Sequence, residues 1–168
     1  MNRKYDKEYF MNKMKEIISI RPDISITTDV IVGFPYETEE LFLETVDTIC
    51  QVGFSKLHVF PYSKRTGTVA STMDQQVDEV VKKERVRRLL SVSHELEVSY
   101  MERFIGNVVT FIPEVWKDGY LIGHTGNYLL VKALGDQSLL YQDVLVSLDE
   151  VIYPYCVGNI FLTEHVGS

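Results

Sequence analysis

Two hydrophobic periods alternate along the first part of the chain, and they predict helices and strands in turn. Apolar residues at helical spacing follow Asp6, whose side chain suits a helix start, and this pattern runs to about Ile20. The Arg-Pro-Asp sequence at residues 21–23 predicts the end of that helix. Residues 24–34 are then rich in Ile, Val and Thr without strict alternation, which predicts a strand covered on both faces.

The same order of elements repeats once before a longer helix. Thr38, which acidic residues follow, predicts the start of a second helix that ends at Gly53. Residues 56–62 predict the next strand. After a loop, apolar positions at helical spacing predict one long helix over residues 77–104. Helices and strands in this order, with short connections, are typical of a parallel α/β sheet or barrel, and these four elements are too few to close a barrel.

The pattern changes after Gly106 to short apolar runs separated by turns. This spacing predicts a small antiparallel barrel of about five strands, the size of an OB-like module. The predicted strands lie at residues 108–115, 120–123, 128–133, 143–148 and 158–163. We therefore divide the chain into a partial α/β unit at residues 1–75, a long connecting helix at 76–105 and an all-β barrel at 106–168.

Charge differs between the two ends of the chain. The 168 residues carry a net charge of −7, and residues 106–168 hold only Lys117 and Lys132 against seven acidic residues. An acidic barrel argues against strong nucleic-acid binding by that part acting alone. The basic sequence KKERVRR at residues 82–88 is the exception, and it predicts either a solvated helix face or a patch that contacts phosphate.

Cysteine usage and hydropathy restrict the class of protein. Cys50 and Cys156 are the only cysteines, and both lie in apolar contexts, so we expect two small core residues and no disulfide framework. His124 has no second ligand at useful spacing, so we expect a surface residue and no metal site. No apolar run approaches the ~18 residues of a membrane span, and no signal-type segment follows the charged amino terminus. The sequence therefore predicts a cytoplasmic protein without a membrane partner.

Candidate binding residues lie where the two predicted parallel strands end, because α/β sheets place ligands at the carboxyl ends of their strands. One rim is the sequence GFPYET at residues 33–38, and the other is PYSKR at residues 61–65. A glycine at a rim lets a ligand approach the backbone, and the following helix amino terminus favours anionic groups. Glu37 and Thr38 also suit helix capping, and Tyr62 also suits the wall of a pocket.

Both rims belong to longer motifs. They read DVIVGFP at residues 29–35 with ETEE at 37–40, then KLHVFPYS at 56–63 with Arg65, Gly67, Thr68 and Ala70, and MNRKY at 1–5 precedes them. Near the other end, the chain reads GHT at residues 123–125, followed by Asn127 and Tyr128. The first set resembles the late barrel strands of radical SAM methylthiotransferases, and the second resembles their TRAM domain. The resemblance covers nearly the whole chain and implies a fragment of a TIM-like radical SAM barrel followed by an OB-like TRAM barrel.

Within that family the chain is most similar to the MtaB-like branch, which methylthiolates threonylcarbamoyladenosine beside the tRNA anticodon. Lys4 and the sequence HVFPYSKRTGT at residues 58–68 favour this branch over the MiaB-like enzymes for isopentenyladenosine and the RimO-like enzymes for a ribosomal-protein aspartate. Two residues depart from the family pattern, since Tyr36 replaces its usual glycine and Val69 its common proline. We therefore expect Tyr36 to narrow or reshape the cofactor rim.

The resemblance implies a parent enzyme that uses S-adenosylmethionine and two 4Fe-4S clusters, whose cysteine sets are absent from this sequence. It therefore implies a carboxyl-terminal portion that is inactive alone and has no catalytic residue, metal or bound cofactor of its own. By the same resemblance, the cofactor-binding residues are Asp29, Ile31, Gly33, Phe60 and Tyr62. The match to the GxIxGxxE pattern is imperfect, because Asp29 replaces the first glycine and Glu37 comes one position late.

The implied macromolecular partner is tRNA. Arg65 is the candidate for contact with the substrate nucleotide, because a guanidinium group suits phosphate or carboxylate, and it equally suits an exposed loop. In the barrel, Tyr120, Tyr128 and Trp116 suit either base stacking or the hydrophobic core, and we favour the core slightly. The candidates for phosphate contact on the basic helix are Lys82, Lys83, Arg85, Arg87 and Arg88.

Two classes of function remain open. The chain is either a piece of a tRNA-modifying radical enzyme or a stand-alone RNA-binding or interaction module that descends from one. An incomplete parallel sheet leaves an unpaired strand edge, so we also expect self-association through that edge.

Overall fold

A computed structural model describes residues 4–161, which divide into two compact units: the first runs to Glu97 and the second begins at Val98. The helices are α1 (Lys7–Ile20), α2 (Glu39–Val52) and α3 (Glu79–Glu102), and the strands are β1 (Thr27–Val32), β2 (Lys56–Pro61), β3 (Val108–Lys117), β4 (Tyr120–Thr125), β5 (Leu130–Leu134), β6 (Val144–Ile152) and β7 (Tyr155–Ile160). Short 3₁₀ helices lie at Val69–Thr72 and Gln137–Leu139. In the part of the chain so described, every helix falls short of the length or the apolar character that a membrane crossing requires.

The helix ends of the first unit form at the predicted capping residues. The Asp6 carboxylate accepts a hydrogen bond from the Tyr9 amide at 2.8 Å, which starts α1. Thr38 accepts from the Leu41 amide at 3.3 Å, which starts α2, and Gly53 ends that helix in the left-handed region at φ +70°. These three predictions are confirmed, whereas α3 is shorter at both ends than the predicted helix over residues 77–104.

A parallel two-stranded sheet organises the first unit. The register of β1 and β2 pairs Thr27 with Lys56 and Val32 with Pro61. Val32 and Leu57 point into a core that Phe42 from α2 and Leu89 from α3 complete, and all four are almost fully buried. Burial of each such side chain contributes about 1.5–3 kcal/mol, so this face of the sheet is the main source of stability in the unit.

The opposite face of the sheet is open within residues 4–97. The predicted burial of the first strand on both faces is therefore wrong: Ile31 and Phe60 remain 42% and 51% exposed. The helices that follow the strands pack against the Val32 face, and that packing leaves the other face accessible. The hydrophobic pattern does not show whether another element will cover the face on which an apolar residue such as Ile31 lies. For this reason the prediction of burial on both faces failed.

The second unit is a closed five-stranded barrel in the order β3-β4-β5-β7-β6, with β6 returning to β3. The predicted number of strands is confirmed. The expected all-antiparallel pairing is wrong in one place, because β5 and β7 are parallel. β6 and β7 also extend into residues 149–157, which the pattern left between strands, since a bulge between Leu148 and Glu150 lets the charged residues continue the strand.

Glycine allows two close approaches within the barrel wall. A Cβ atom at Gly123 would overlap the Ile112 carbonyl group, and one at Gly158 would overlap the Ser147 carbonyl group. Gly123 belongs to the GHT sequence at residues 123–125, so close packing of the barrel wall explains why that motif contains a glycine.

The barrel core contains one of the two cysteines. Cys156 is fully buried among residues such as Phe111 and Leu148, as expected. Cys50 is exposed on α2, so its predicted place in the core is wrong. The core alternative for the barrel aromatics is also wrong for Trp116 and Tyr128, which are 41% and 79% exposed.

Candidate functional site

The carboxyl ends of β1 and β2 meet at one edge of the sheet. The Tyr62 amide donates to the Val32 carbonyl at 2.7 Å, which continues the parallel pairing one step past β2. Phe34 and Tyr62 then pack edge to face, with their ring centroids 5.3 Å apart. The two predicted rims therefore lie together, and Gly33 and Tyr62 belong to the same edge.

Gly33 has two physical reasons to be glycine. Its φ is +73°, a conformation that other residues rarely adopt, and a Cβ atom there would overlap the side chain of Lys82. The Gly33 amide donates to the Glu37 carboxylate at 2.8 Å. The close approach to this backbone is thus made by a lysine of α3, while contact between Gly33 and a cofactor stays a prediction.

A buried ion-pair network holds the loop after β1 against α3. Arg85 donates to Oε1 of Glu37 at 2.7 Å and to the Glu37 carbonyl at 3.1 Å, and its other terminal nitrogen lies 3.6 Å from Glu39. Arg88 pairs with Glu39 at 2.6 Å and lies over the Phe42 ring. The side chains of Arg85 and Glu37 are only 5% and 16% exposed, so this pair sits in a protected environment.

The basic helix divides into buried and exposed residues. Lys82 is 4% exposed, pairs with Glu79 at 2.7 Å, and places its ammonium group 5.4 Å from the centroid of the Tyr62 ring. The solvated-face interpretation is therefore wrong for Lys82 and Arg85. Arg87 pairs with Glu84 on the surface at 2.8 Å. Lys83 is exposed and has no ion pair within residues 4–161.

Arg65 lies on the exposed loop after β2, beside Lys64. Neither side chain forms an ion pair with the described residues. Both cations are therefore available to a ligand at the carboxyl end of β2. This position agrees with both interpretations of Arg65, and its contact with a nucleotide stays a prediction.

Three of the five predicted cofactor residues share the open face of the sheet. The register pairs Ile31 with Phe60 and, one step further from the rim, Asp29 with His58. The sequence reasoning did not include His58. The sequence could have indicated His58, because Asp29 and His58 each stand two positions before a predicted cofactor residue on neighbouring parallel strands.

A groove of about 710 Å³ runs beside the same strand. In the described part of the chain β1 pairs with β2 alone, and the groove lies against residues 28–31 of β1. The beginning of α1 and one side of α2 form its walls, with Phe10, Leu41 and Thr45 among the lining residues.

The barrel surface brings together residues that the sequence did not link. Lys132 on β5 lies 4.3 Å from the centroid of the Tyr120 ring and 5.5 Å from that of Tyr155 on β7. Tyr128 is exposed at the tip of the β4–β5 turn with φ +65°. Sequence reasoning missed Lys132 and Tyr155, because the parallel β5–β7 pairing that places them together is a long-range contact.

His124 does not belong to a metal site in the described part of the chain. His124 lies on the surface, as expected, and pairs with Glu114 at 2.9 Å. Among residues 4–161 there is no group of His, Cys, Asp or Glu side chains that could hold a metal ion.

Comparison with known proteins identifies relatives along nearly the whole chain, although no protein-family model matches it. The chain is 41% identical, over 99% of its length, to the threonylcarbamoyladenosine tRNA methylthiotransferase MtaB of Bacillus subtilis. It is 41% identical over 89% of its length to the tRNA-2-methylthio-N(6)-dimethylallyladenosine synthase of a Thermoanaerobacter species, and 39% identical over 98% to that of Lachnoclostridium phytofermentans. The matches cover 39%, 32% and 36% of these three relatives, so the chain spans less than half of their length.

Proposed function

Because the chain is homologous over nearly its whole length to tRNA methylthiotransferases, we propose that it is the carboxyl-terminal portion of a cytoplasmic enzyme that methylthiolates threonylcarbamoyladenosine next to the tRNA anticodon. The observation that carries the proposal is the 41% identity over 99% of the chain to a relative named for that substrate. The relatives named for dimethylallyladenosine are the source of the main alternative. In the proposal, residues 1–75 belong to a TIM-like radical SAM barrel, 76–105 form the connecting helix, and 106–168 form a TRAM barrel.

The proposed cofactors are S-adenosylmethionine and two 4Fe-4S clusters. The residues fit the first group, because Ile31 and Phe60 present adjoining apolar surface on the open face, where an adenine ring can pack. S-adenosylmethionine supplies the radical chemistry of this enzyme family when it is bound. The residues do not fit a cluster, since the described part of the chain offers no metal-binding group, and the proposal assigns both clusters to the remainder of the enzyme.

Residues of this chain would bind and orient in that enzyme rather than react. Glu37 holds the Gly33 amide and the Arg85 guanidinium group together, which keeps the backbone at the end of β1 in one conformation. Tyr62 packs against Phe34 and contacts Lys82 at the same edge. The proposed contribution of this cluster is a rigid rim beside the cofactor-binding residues Asp29, Ile31, Gly33, Phe60 and Tyr62.

The proposed contacts with tRNA use exposed cations and aromatic rings. Phosphate contact falls to Arg65 and Lys83, with Arg87 and Arg88 in support, because Lys82 and Arg85 are already buried in pairs. On the barrel, Tyr120 beside Lys132 offers a ring and a cation together, and the exposed Tyr128 offers a ring for stacking on an unpaired base.

The second candidate function is a stand-alone RNA-binding module. The barrel surface of Tyr120, Lys132 and Tyr155 favours it, because this surface needs no partner from elsewhere to present its rings and its cation. In this alternative the chain binds unmodified RNA and forms no part of a catalyst.

Complementation of a strain that lacks its methylthiotransferase tests the two candidates. The chain is expressed alone and fused behind the amino-terminal part of the Bacillus subtilis relative, and tRNA nucleosides are measured by mass spectrometry. Methylthio-threonylcarbamoyladenosine from the fusion alone supports the proposal. A product based on dimethylallyladenosine, or no product together with intact RNA binding by the chain alone, overturns it in favour of the corresponding alternative.

A further inference from the structure

The open face of the β1–β2 sheet carries a polar row directly behind an apolar one. Ile31 and Phe60 are register partners near the carboxyl ends of the strands, and Asp29 and His58 are partners two residues earlier. All four side chains are exposed. Within residues 4–161 neither the Asp29 carboxylate nor the His58 ring forms a hydrogen bond or an ion pair, so both polar groups face outward without a partner.

This pair presents complementary hydrogen-bonding groups. A carboxylate accepts hydrogen bonds, and an imidazole donates at one or both ring nitrogens. Lys56, the next cation along β2, is already paired with Glu97 at 3.3 Å, which leaves His58 as the basic group of the row that a ligand can engage. A ligand with both an acidic group and N–H donors satisfies both partners, whereas a hydrocarbon leaves two polar groups desolvated without a hydrogen bond.

The named substrates of the relatives differ in this respect. One class of relative is named for threonylcarbamoyladenosine, whose substituent contains a carboxylate, a hydroxyl and carbamoyl N–H groups. The other is named for dimethylallyladenosine, whose substituent is a hydrocarbon. Hydrogen-bonding groups that become buried when a ligand binds reject an analogue that cannot pair with them.

We infer that Asp29 and His58 are specificity-determining residues that bind the threonylcarbamoyl group of the target adenosine. His58 donates to the carboxylate of that group, and Asp29 accepts from its N–H. The hydrogen-bonding groups of the row and of the substituent are complementary, which is why a polar substituent and not the dimethylallyl group is the occupant. The inference rests on the proposed function, and it moves Asp29 from the proposed cofactor-binding residues to the residues that select the substrate, with His58 as its partner.

A binding titration on the 168-residue chain tests this assignment. The ring C–H signals of histidine are followed by NMR during separate additions of threonylcarbamoyladenosine, dimethylallyladenosine and S-adenosylmethionine, and the His58 signals are assigned with His58→Gln. The expected result is a shift of the His58 signals with threonylcarbamoyladenosine and none with dimethylallyladenosine. His58→Phe and Asp29→Asn should each weaken that binding roughly tenfold or more, measured by calorimetry because His58→Phe has no His58 signal. The matched control His124→Gln, in the other unit, should leave it unchanged.

Three results would overturn the assignment: equal shifts with both nucleosides, a shift with S-adenosylmethionine only, or no shift with any of the three. These outcomes are separate from those of the complementation experiment. If the fusion makes methylthio-threonylcarbamoyladenosine and His58→Phe binds threonylcarbamoyladenosine as tightly as the unchanged chain, the assignment of the pair is wrong and the proposed function stands. If the fusion modifies only dimethylallyladenosine, the proposed function itself is wrong.

Discussion

At the scale of the residue, Gly33 is the position where backbone conformation and packing act together. Its φ of +73° favours glycine, and the Lys82 side chain occupies the space that a Cβ atom would need. Gly67 provides a comparison, because its φ is +86° and its surroundings are open. The two glycines separate the cost of conformation from the cost of overlap.

Gly33→Ala should therefore destabilise the first unit by roughly 2–4 kcal/mol, because left-handed conformation and overpacking both contribute. Gly67→Ala should cost only the conformational part, roughly 1–2 kcal/mol. Protection of the β1 and β2 amides against hydrogen exchange measures the loss of stability in both variants. Adding Lys82→Ala should restore part of the protection lost in Gly33→Ala, and equal losses for the two glycine variants would contradict the overlap.

The two cysteines should differ sharply in reactivity. Cys156 is fully buried, and burial raises the pKa of its thiol to about 11, so little of the reactive thiolate forms near neutral pH. Cys50 is exposed, although partial burial and then the nearby Asp47 and Glu95 raise the pKa of its thiol as well. Alkylation followed by mass spectrometry at pH 8 should label Cys50 first, at a rate that rises with pH, and Cys156 only on unfolding. Equal labelling of both in the folded chain would contradict the buried position of Cys156.

At the scale of the element, α3 shows how similar basic residues acquire different roles. Arg85 and Arg87 stand two positions apart on the same helix, yet Arg85 is inside with Glu37 and Arg87 is outside with Glu84. Helical geometry separates residues two positions apart to different faces, so only one of them reaches the loop after β1. A count of charges in the sequence could not distinguish them.

Arg85→Ala should destabilise the first unit by roughly 3 kcal/mol, because it leaves the mostly buried Glu37 carboxylate and part of the rim without their partner. Arg87→Ala removes an exposed, solvent-screened pair and should change stability far less than Arg85→Ala does. Urea unfolding followed by circular dichroism compares the two variants. The network would have no stabilising role if both behaved alike.

At the scale of the whole molecule, the free side of β1 is the feature with the largest consequence. β1 pairs only with β2 in the described part of the chain, and its other edge, beside an accessible groove, is a template for pairing with another chain. We therefore expect the isolated chain to self-associate with rising concentration. Thr28→Lys, which places a charge in the groove, should reduce the mean mass measured by light scattering. Val80→Lys, at an exposed position of α3, is the matched control and should not. A monomeric mass at high concentration would refute the expectation.

Sequence reasoning was most accurate where the cause is local. Asp6, Thr38 and Gly53 mark helix ends through contacts within a few residues, and all three were predicted. It failed for the open face of β1 and for the parallel pairing of β5 with β7, which depend on residues distant in the chain. The same holds for the candidate site. The place of the two rims at the carboxyl ends of the strands was predicted, whereas the partners of Lys82, Arg85 and Lys132 were not.

The sequence by itself determined the order of helices and strands, the capping residues and the relationship to tRNA methylthiotransferases, because each is encoded in short motifs or local periodicity. Only the tertiary structure decided which side of the first sheet is open, which basic residues are buried, and which residue stands opposite Asp29. Those outcomes depend on strand register and helix packing, and both arise from the sum of contacts between segments that are far apart in the chain.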